Sequence, residues 1–208
     1  GSMRGQALDQ AKRCAQNVVR SLRPGDRVAV VAYDDAVDVV MPSTDAARAG
    51  EVIAAIDQIH ARGMTNLHGG WLAGAEQVAG ALTKDTVNRV ILLSDGAQNK
   101  GVTDPEEIAR QCGVMAAQGV ETSTYGLGAG FNEDLMAEMA GRGRGHAYYG
   151  ETAQDLAPGL EAEFGILAHT WAKDVRLEVA SGKKIARVDM LNGYRSEGRA
   201  HILPNLVA

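Results

Sequence analysis

Between residues 87 and 96 the chain reads Val-Asn-Arg-Val-Ile-Leu-Leu-Ser-Asp-Gly. The run Val90–Leu93 shows no alternation of apolar and polar residues, so both of its faces should be buried. It stops abruptly at Ser94-Asp95-Gly96. A strand covered on both sides belongs to a parallel sheet, whose neighbours are joined by crossover helices. The flanking sequence supplies those helices. Residues 7–22 carry Leu8, Ala11, Ala15, Val18, Val19 and Leu22 on one stripe, and Pro24-Gly25-Asp26 ends the pattern. Residues 45–61, Gly69–Leu82, 104–118, Asn132–Ala140 and Thr152–Ala168 also read as helices. Asp104-Pro105-Glu106-Glu107 is a strong start, with a capping Asp, a Pro suited to the first turn and two carboxylates at the positive end of the dipole.

Arg27–Tyr33, Val37–Met41, Val87–Leu93, Val120–Gly126 and Gly145–Tyr149 read as strands between those helices, the first two joined by a tight turn at Asp34-Asp35. The expected architecture is α/β: a three-layer, Rossmann-like sheet, mostly parallel with one antiparallel edge strand and helices on both faces. From about residue 172 the texture changes. Val175, Leu177 and Val179 alternate with charged residues, and Lys184–Met190 and Arg199–Leu203 follow the same period. A small antiparallel β element is expected there, giving a division into 1–168 and 169–208, the second part a possible start of a following β domain.

Composition narrows the function. With 45% hydrophobic and 23% charged residues, the 208-residue chain can bury an ordinary core. A net charge of −5 without a basic face argues against nucleic acid. No apolar run approaches the ~20 residues of a membrane span. Cys14 and Cys112 fall in helical patterns and read as reduced, buried thiols. There is no G-x-S-x-G elbow and no phosphate-binding G-x-x-x-x-G-K-[ST] loop, so nothing points to catalysis.

Ligands of an open α/β sheet sit beyond the carboxyl ends of its strands. Three polar features map to that edge: Ser2 before the first helix, Thr65 in a loop, and Asp95 ending the buried strand. Hydroxyls with a carboxylate form a hard oxygen donor set suited to Mg²⁺, Mn²⁺ or Ca²⁺ rather than zinc. Asp34 and Asp35 read as turn formers, and Gly126-Leu127-Gly128-Ala129-Gly130 as a plain turn. Arg142 and Arg144 read as a solvated loop, and the histidines show no metal-ligand spacing.

The order of these elements resembles the von Willebrand factor type A family. Gly1-Ser2-Met3 is similar to the tail of that family's Asp-x-Ser-Gly-Ser-Met segment. Gly63-Met64-Thr65-Asn66-Leu67 resembles its threonine loop, with Met64 where Gly is commoner, and Leu92-Leu93-Ser94-Asp95-Gly96 resembles its aspartate motif. Arg23–Val28 and Tyr125–Gly128 also fit. The resemblance covers residues 1 to about 168 and implies a metal-ion-dependent adhesion site made by Ser2, Thr65 and Asp95. It further implies binding of a protein that offers an acidic residue, without catalysis. The alternative is a metal-independent scaffold domain of a larger protein; a metal-assisted hydrolase is the third reading.

The same resemblance implies that the Asp and first Ser of the opening motif, and the central first strand before them, lie outside this sequence. Gly1-Ser2 is then either native or an expression remnant. With Asp95 the sole charged ligand left, metal binding is expected to be weak. The gap is expected to be filled by an exchanged segment in a homo-oligomer, by the C-terminal β element, or by rearrangement.

Overall fold

The computed structural model describes residues 5–61, 63–83, 86–97, 99–172, 175–178, 196–197, 200–203 and 206–207. Elements run in the order α1 (Gln6–Ser21), β1 (Arg27–Tyr33), β2 (Val37–Asp45), a 3₁₀ turn (Ala46–Arg48), α2 (Ala49–Asp57), α3 (Leu67–Ala79), β3 (Arg89–Gly96), α4 (Pro105–Ala117), β4 (Glu121–Gly130), α5 (Glu133–Arg142), β5 (Arg144–Gly150) and α6 (Ala153–His169). Five short strands follow: β6 (Thr170–Ala172), β7 (Arg176–Glu178), β8 (Ser196–Glu197), β9 (Ala200–Ile202) and β10 (Leu206–Val207).

The chain divides into a unit of residues 1–163 and a unit of residues 164–208. In the first, β3, β4 and β5 form a parallel sheet in that order, while β1 and β2 form an antiparallel pair. The two halves share α3, which packs on β1, β2 and β3. One face carries the larger core, where Leu67, Trp71 and Ala75 of α3 meet Val90 and Leu92 of β3, Ile108 and Cys112 of α4, and Leu135 and Met139 of α5. Within it the Trp71 indole donates to the Thr122 hydroxyl at 3.0 Å, which satisfies both buried groups. On the opposite side Val19 of α1 and Val52 and Ile56 of α2 pack on Val28, Val30 and Met41. In the second unit β10 pairs with β6, and β7 and β8 flank β9, all antiparallel. The expected strand at Lys184–Met190 lies outside the described residues.

Several expected boundaries move. The helix expected over 45–61 becomes a 3₁₀ turn and a shorter α2 ending at Asp57, because β2 continues to Asp45 and the Asp45 side chain accepts from Ala47 N–H to start the turn. The glycine stretch 126–130 is not a plain turn. It is the end of β4, where the pairing jumps from Ser94↔Gly126 to Gly96↔Gly130. Gly128 at φ 75° absorbs that bulge without a Cβ clash. Ile91 and Leu93 are only half-buried, although Val90 and Leu92 are 7% and 3% exposed. Their side chains point to the opposite face of the sheet from Val90 and Leu92, and an open cavity bordered by Leu93 lies there. Both cysteines are buried and neither is in a disulfide among the described residues, as the helical pattern suggested.

Candidate functional site

Three loops meet where β1 and β3 end. The first is the turn after β1. Asp34 Oδ1 accepts from Ala36 N–H at 2.9 Å, closing the turn its sequence promised, and the Asp34 carbonyl accepts from Asn66 N–H at 2.8 Å. The Asp35 carboxylate accepts from Met64 N–H at 3.0 Å, and its carbonyl accepts from the Lys100 ammonium at 2.7 Å. The second loop carries Thr65 and leads into α3, where Asn66 caps the helix by accepting from Gly69 N–H at 3.0 Å. The third follows β3. There Asn99 locks onto Thr65 twice: its side chain accepts from Thr65 N–H at 2.7 Å and its own N–H donates to the Thr65 carbonyl at 3.1 Å.

This lattice fixes Thr65, which is 7% exposed, against the end of β3. Gly63 allows the approach, because a Cβ there would stand 1.6 Å from Asp35 Oδ1. Thr65, Asp34, Ser94 and Asp95 all border one cavity of about 350 Å³. The Ser94 hydroxyl donates to the Gly96 carbonyl at 3.0 Å, so Ser94 shapes the strand end while Asp95 follows it at the rim. Thr65 and Asp95 thus border the same cavity. Ser2 lies outside the described residues.

The polar residues lining the cavity with Thr65 and Asp95 are Tyr33, Asp34, Asp38 and Ser94, and also Lys12, Gln58 and His60. Among the described residues no three His, Cys, Asp or Glu side chains cluster as a metal cage. Hydroxyl and carboxylate oxygens, as on Thr65 and Asp95, are the donor type that hard cations such as Mg²⁺ prefer.

Reading the sequence missed Asp35, Asn66, Asn99 and Lys100 as the frame of this site. Asn66 was legible as a cap before the apolar pattern of α3. Asn99 and Lys100 act on backbone groups of other loops, and no local pattern signals that.

A second polar cluster sits at the opposite, amino-terminal end of the strands. Arg89 pairs with Glu121 and with Glu163 of α6, and the side chains of Arg89 and Glu163 are 3% and 0% exposed. Glu163 also accepts from the Ser123 hydroxyl at 2.6 Å and meets His146 Nδ1 at 3.2 Å. Burial pushes the Glu163 carboxyl up, but the His146 hydrogen bond, the Arg89 charge and the Ser123 hydroxyl outweigh it and bring the pKa down to about 2. This cluster fastens α6 to the sheet.

The sequence is 32% identical over 163 residues to the uncharacterized protein YfbK of Escherichia coli K12, covering 78% of this chain and 28% of that protein. It is 27% identical over 220 residues to human inter-alpha-trypsin inhibitor heavy chain H1, covering 100% of this chain and 24% of the relative. The chain thus spans under a third of the length of either relative. Among solved structures, the von Willebrand factor type A protein from Catenulispora acidiphila superposes with a TM-score of 0.71 at 20% identity, over 82% of this chain and 40% of that one. The mussel byssus proximal thread matrix protein 1, solved with a zinc-occupied MIDAS motif, superposes with a TM-score of 0.62 at 19% identity, over 76% of this chain and 42% of that one. The model of the von Willebrand factor type A domain matches residues 1–162, and the chain belongs to that family.

Proposed function

We propose that residues 1–163 form a non-catalytic protein-interaction module whose partner is held through a divalent cation at Thr65 and Asp95. The observation that carries this reading is that Thr65, its backbone held by Asn99, and Asp95 line one cavity at the carboxyl edge of the sheet. Domains of this family commonly serve protein interaction, and the mussel byssus protein was solved with zinc in its MIDAS motif.

Ser2 is proposed as a further hydroxyl ligand. Mg²⁺ is the proposed ion, with Mn²⁺ or Ca²⁺ able to replace it, since all three prefer oxygen. A cation held by one carboxylate and hydroxyls keeps most of its positive charge. An acidic side chain from a partner protein would then complete its coordination and neutralise it. The exposed Met64, beside Thr65, gives that partner an apolar contact next to the ion.

Calorimetric titration of Mg²⁺ and Mn²⁺ into the chain, beside Asp95→Ala and Thr65→Ala, tests the reading. Weak binding, in the high-micromolar to millimolar range, that either substitution abolishes supports it. Binding that both substitutions leave unchanged removes Thr65 and Asp95 from the site. If a partner protein binds equally in EDTA, the module is a metal-independent scaffold.

A further inference from the structure

The parallel sheet stops at β5. Among the described residues β5 pairs with β4 alone, so its other side carries peptide groups outside any ladder described. Exposure follows the pairing: β4 is buried from Glu121 to Leu127, whereas β5 mixes half-buried and exposed residues. β2 also pairs on one side among the described residues, but it holds the exposed Pro42, which has no N–H to give to a ladder. β5 holds no proline. Its pairing to β4 slips between Arg144 and Ala147 and runs regularly from Ala147 to Gly150.

The two ends of this edge differ in charge. Arg144 opens the strand, exposed and at φ 57°, a conformation that glycine takes without strain and that here carries a cation. Just before it, Arg142 is matched by Glu138 at 3.1 Å. Exposed Glu151 stands beyond the last strand residue. Near the same end the Tyr149 hydroxyl donates to the Glu133 carbonyl at 3.3 Å, where Glu133 and Asp134 are both exposed. The strand is therefore positive where it starts and negative where it ends. Its side chains are uneven as well. Gly145 has no room for one, because a Cβ would lie 2.1 Å from the Thr122 carbonyl oxygen. Tyr149, further along, stacks on Phe131 at 5.4 Å and stays 38% exposed.

We infer that β5 pairs antiparallel with β5 of a second copy of this chain, about a two-fold axis at Ala147, so that two sheets become one. An antiparallel copy is the occupant these charges select. Arg144 of each copy meets the Glu151 end of the other, whereas a parallel copy would set like charges together. In that register Tyr149 stands opposite Gly145 of the second copy and covers the position that lacks a side chain. His146 stands opposite Tyr148. The ladder is short, so the association is weak and reversible. The two-fold closes the assembly at a dimer and points the Thr65–Asp95 edges of the two copies in opposite directions. The inference does not depend on the metal reading, and its test is run in EDTA so that the two can fail separately.

Sedimentation equilibrium of the chain, up to about 1 mM, is the first measurement. The expected result is a monomer–dimer equilibrium, with amide exchange at Ala147–Gly150 slowing as the concentration rises. Arg144→Glu and Glu151→Lys, both at exposed positions, each set like charges at both ends of the ladder and should weaken the dimer about tenfold or more. An equimolar mixture of the two variants should recover wild-type association, because each end then meets its opposite. Ala147→Cys should give a disulfide-linked dimer on mild oxidation, since residues directly opposite in a hydrogen-bonded antiparallel pair lie about 5.5 Å apart at Cα. A chain that stays monomeric throughout overturns the inference. So does a dimer that both charge variants leave unchanged, a mixture that associates no better than either variant alone, or exchange that slows elsewhere and not at β5.

Discussion

Glu163→Ala removes the one carboxylate on which the lower cluster converges. Glu163 is 0% exposed, and its loss leaves the buried Arg89 guanidinium with Glu121 as its remaining charged partner. Removing one partner from a buried ion-pair network costs up to ~3–5 kcal/mol, and here Arg89 loses one of its two carboxylates and its hydrogen bond. The carboxyl's own titration gives a second route to the magnitude. A fall from the ordinary 4.5 to about 2 corresponds to roughly 3 kcal/mol of stability that depends on ionisation. The two routes agree. The sign is fixed by the direction of the shift: the folded pKa is depressed, so this stability is fully present above about pH 4.5 and is lost as the pH falls towards 2. At about 2–4 °C per kcal/mol for a domain of this size, Glu163→Ala should lower Tm by ~6–20 °C at pH 7. Glu163→Gln keeps the shape but cannot titrate, so its stability should change less than wild type between pH 5 and 2.5. Urea melts across that range, for wild type and both variants, measure this. If Glu163→Ala costs under 1 kcal/mol at pH 7, or if Glu163→Gln shows the same acid dependence as wild type, the cluster does not anchor α6 in the way argued.

Gly70→Ala places a Cβ 2.3 Å from the Tyr33 ring, so that ring must move; a loss of ~1–3 kcal/mol by chemical denaturation is expected, with the Tyr33–Leu93 bridge weakened. Asp104→Ala removes the carboxylate that accepts from Glu106 N–H at the start of α4 and should cost ~1 kcal/mol by thermal melting, while Asp104→Ser recovers most of it. Burial pushes the Cys112 thiol up to about 12, so a thiol reagent at pH 8 should modify it only as the chain unfolds, and its rate should follow urea concentration through the transition.

Much of the scaffold could be read from local pattern, and the reasons differ by element. The strand Arg27–Tyr33 was found with its true ends because Pro24-Gly25-Asp26 and Asp34-Asp35 punctuate both sides. The α4 start followed from Asp104 and Pro105. The end of β4 was misread because glycine signals turns and bulges alike, and only the partner strand decides between them. Thr65 and Asp95 were nominated by their position after helical and apolar runs, and the structure places them at one cavity. Their frame was not legible. Asn99, Lys100 and Asp35 hold neighbouring loops through backbone groups, and such contacts leave no periodic trace. The Arg89–Glu163 pair joins residues far apart in the chain, where each alone looks like an ordinary surface charge. Ile91 and Leu93 looked fully buried because an apolar run records what a strand is suited to pack against, not what this chain places there.

The claim at the centre of this account is that Thr65 and Asp95 hold a divalent cation. Paramagnetic broadening by Mn²⁺ tests it most directly, since it reports weak binding residue by residue. Amide resonances of Gly63–Asn66 and Ser94–Gly96 should broaden first and together at sub-stoichiometric Mn²⁺, recover on adding EDTA, and stay sharp in Asp95→Ala. Broadening that centres elsewhere on the chain, or that persists unchanged in Asp95→Ala, would contradict the account.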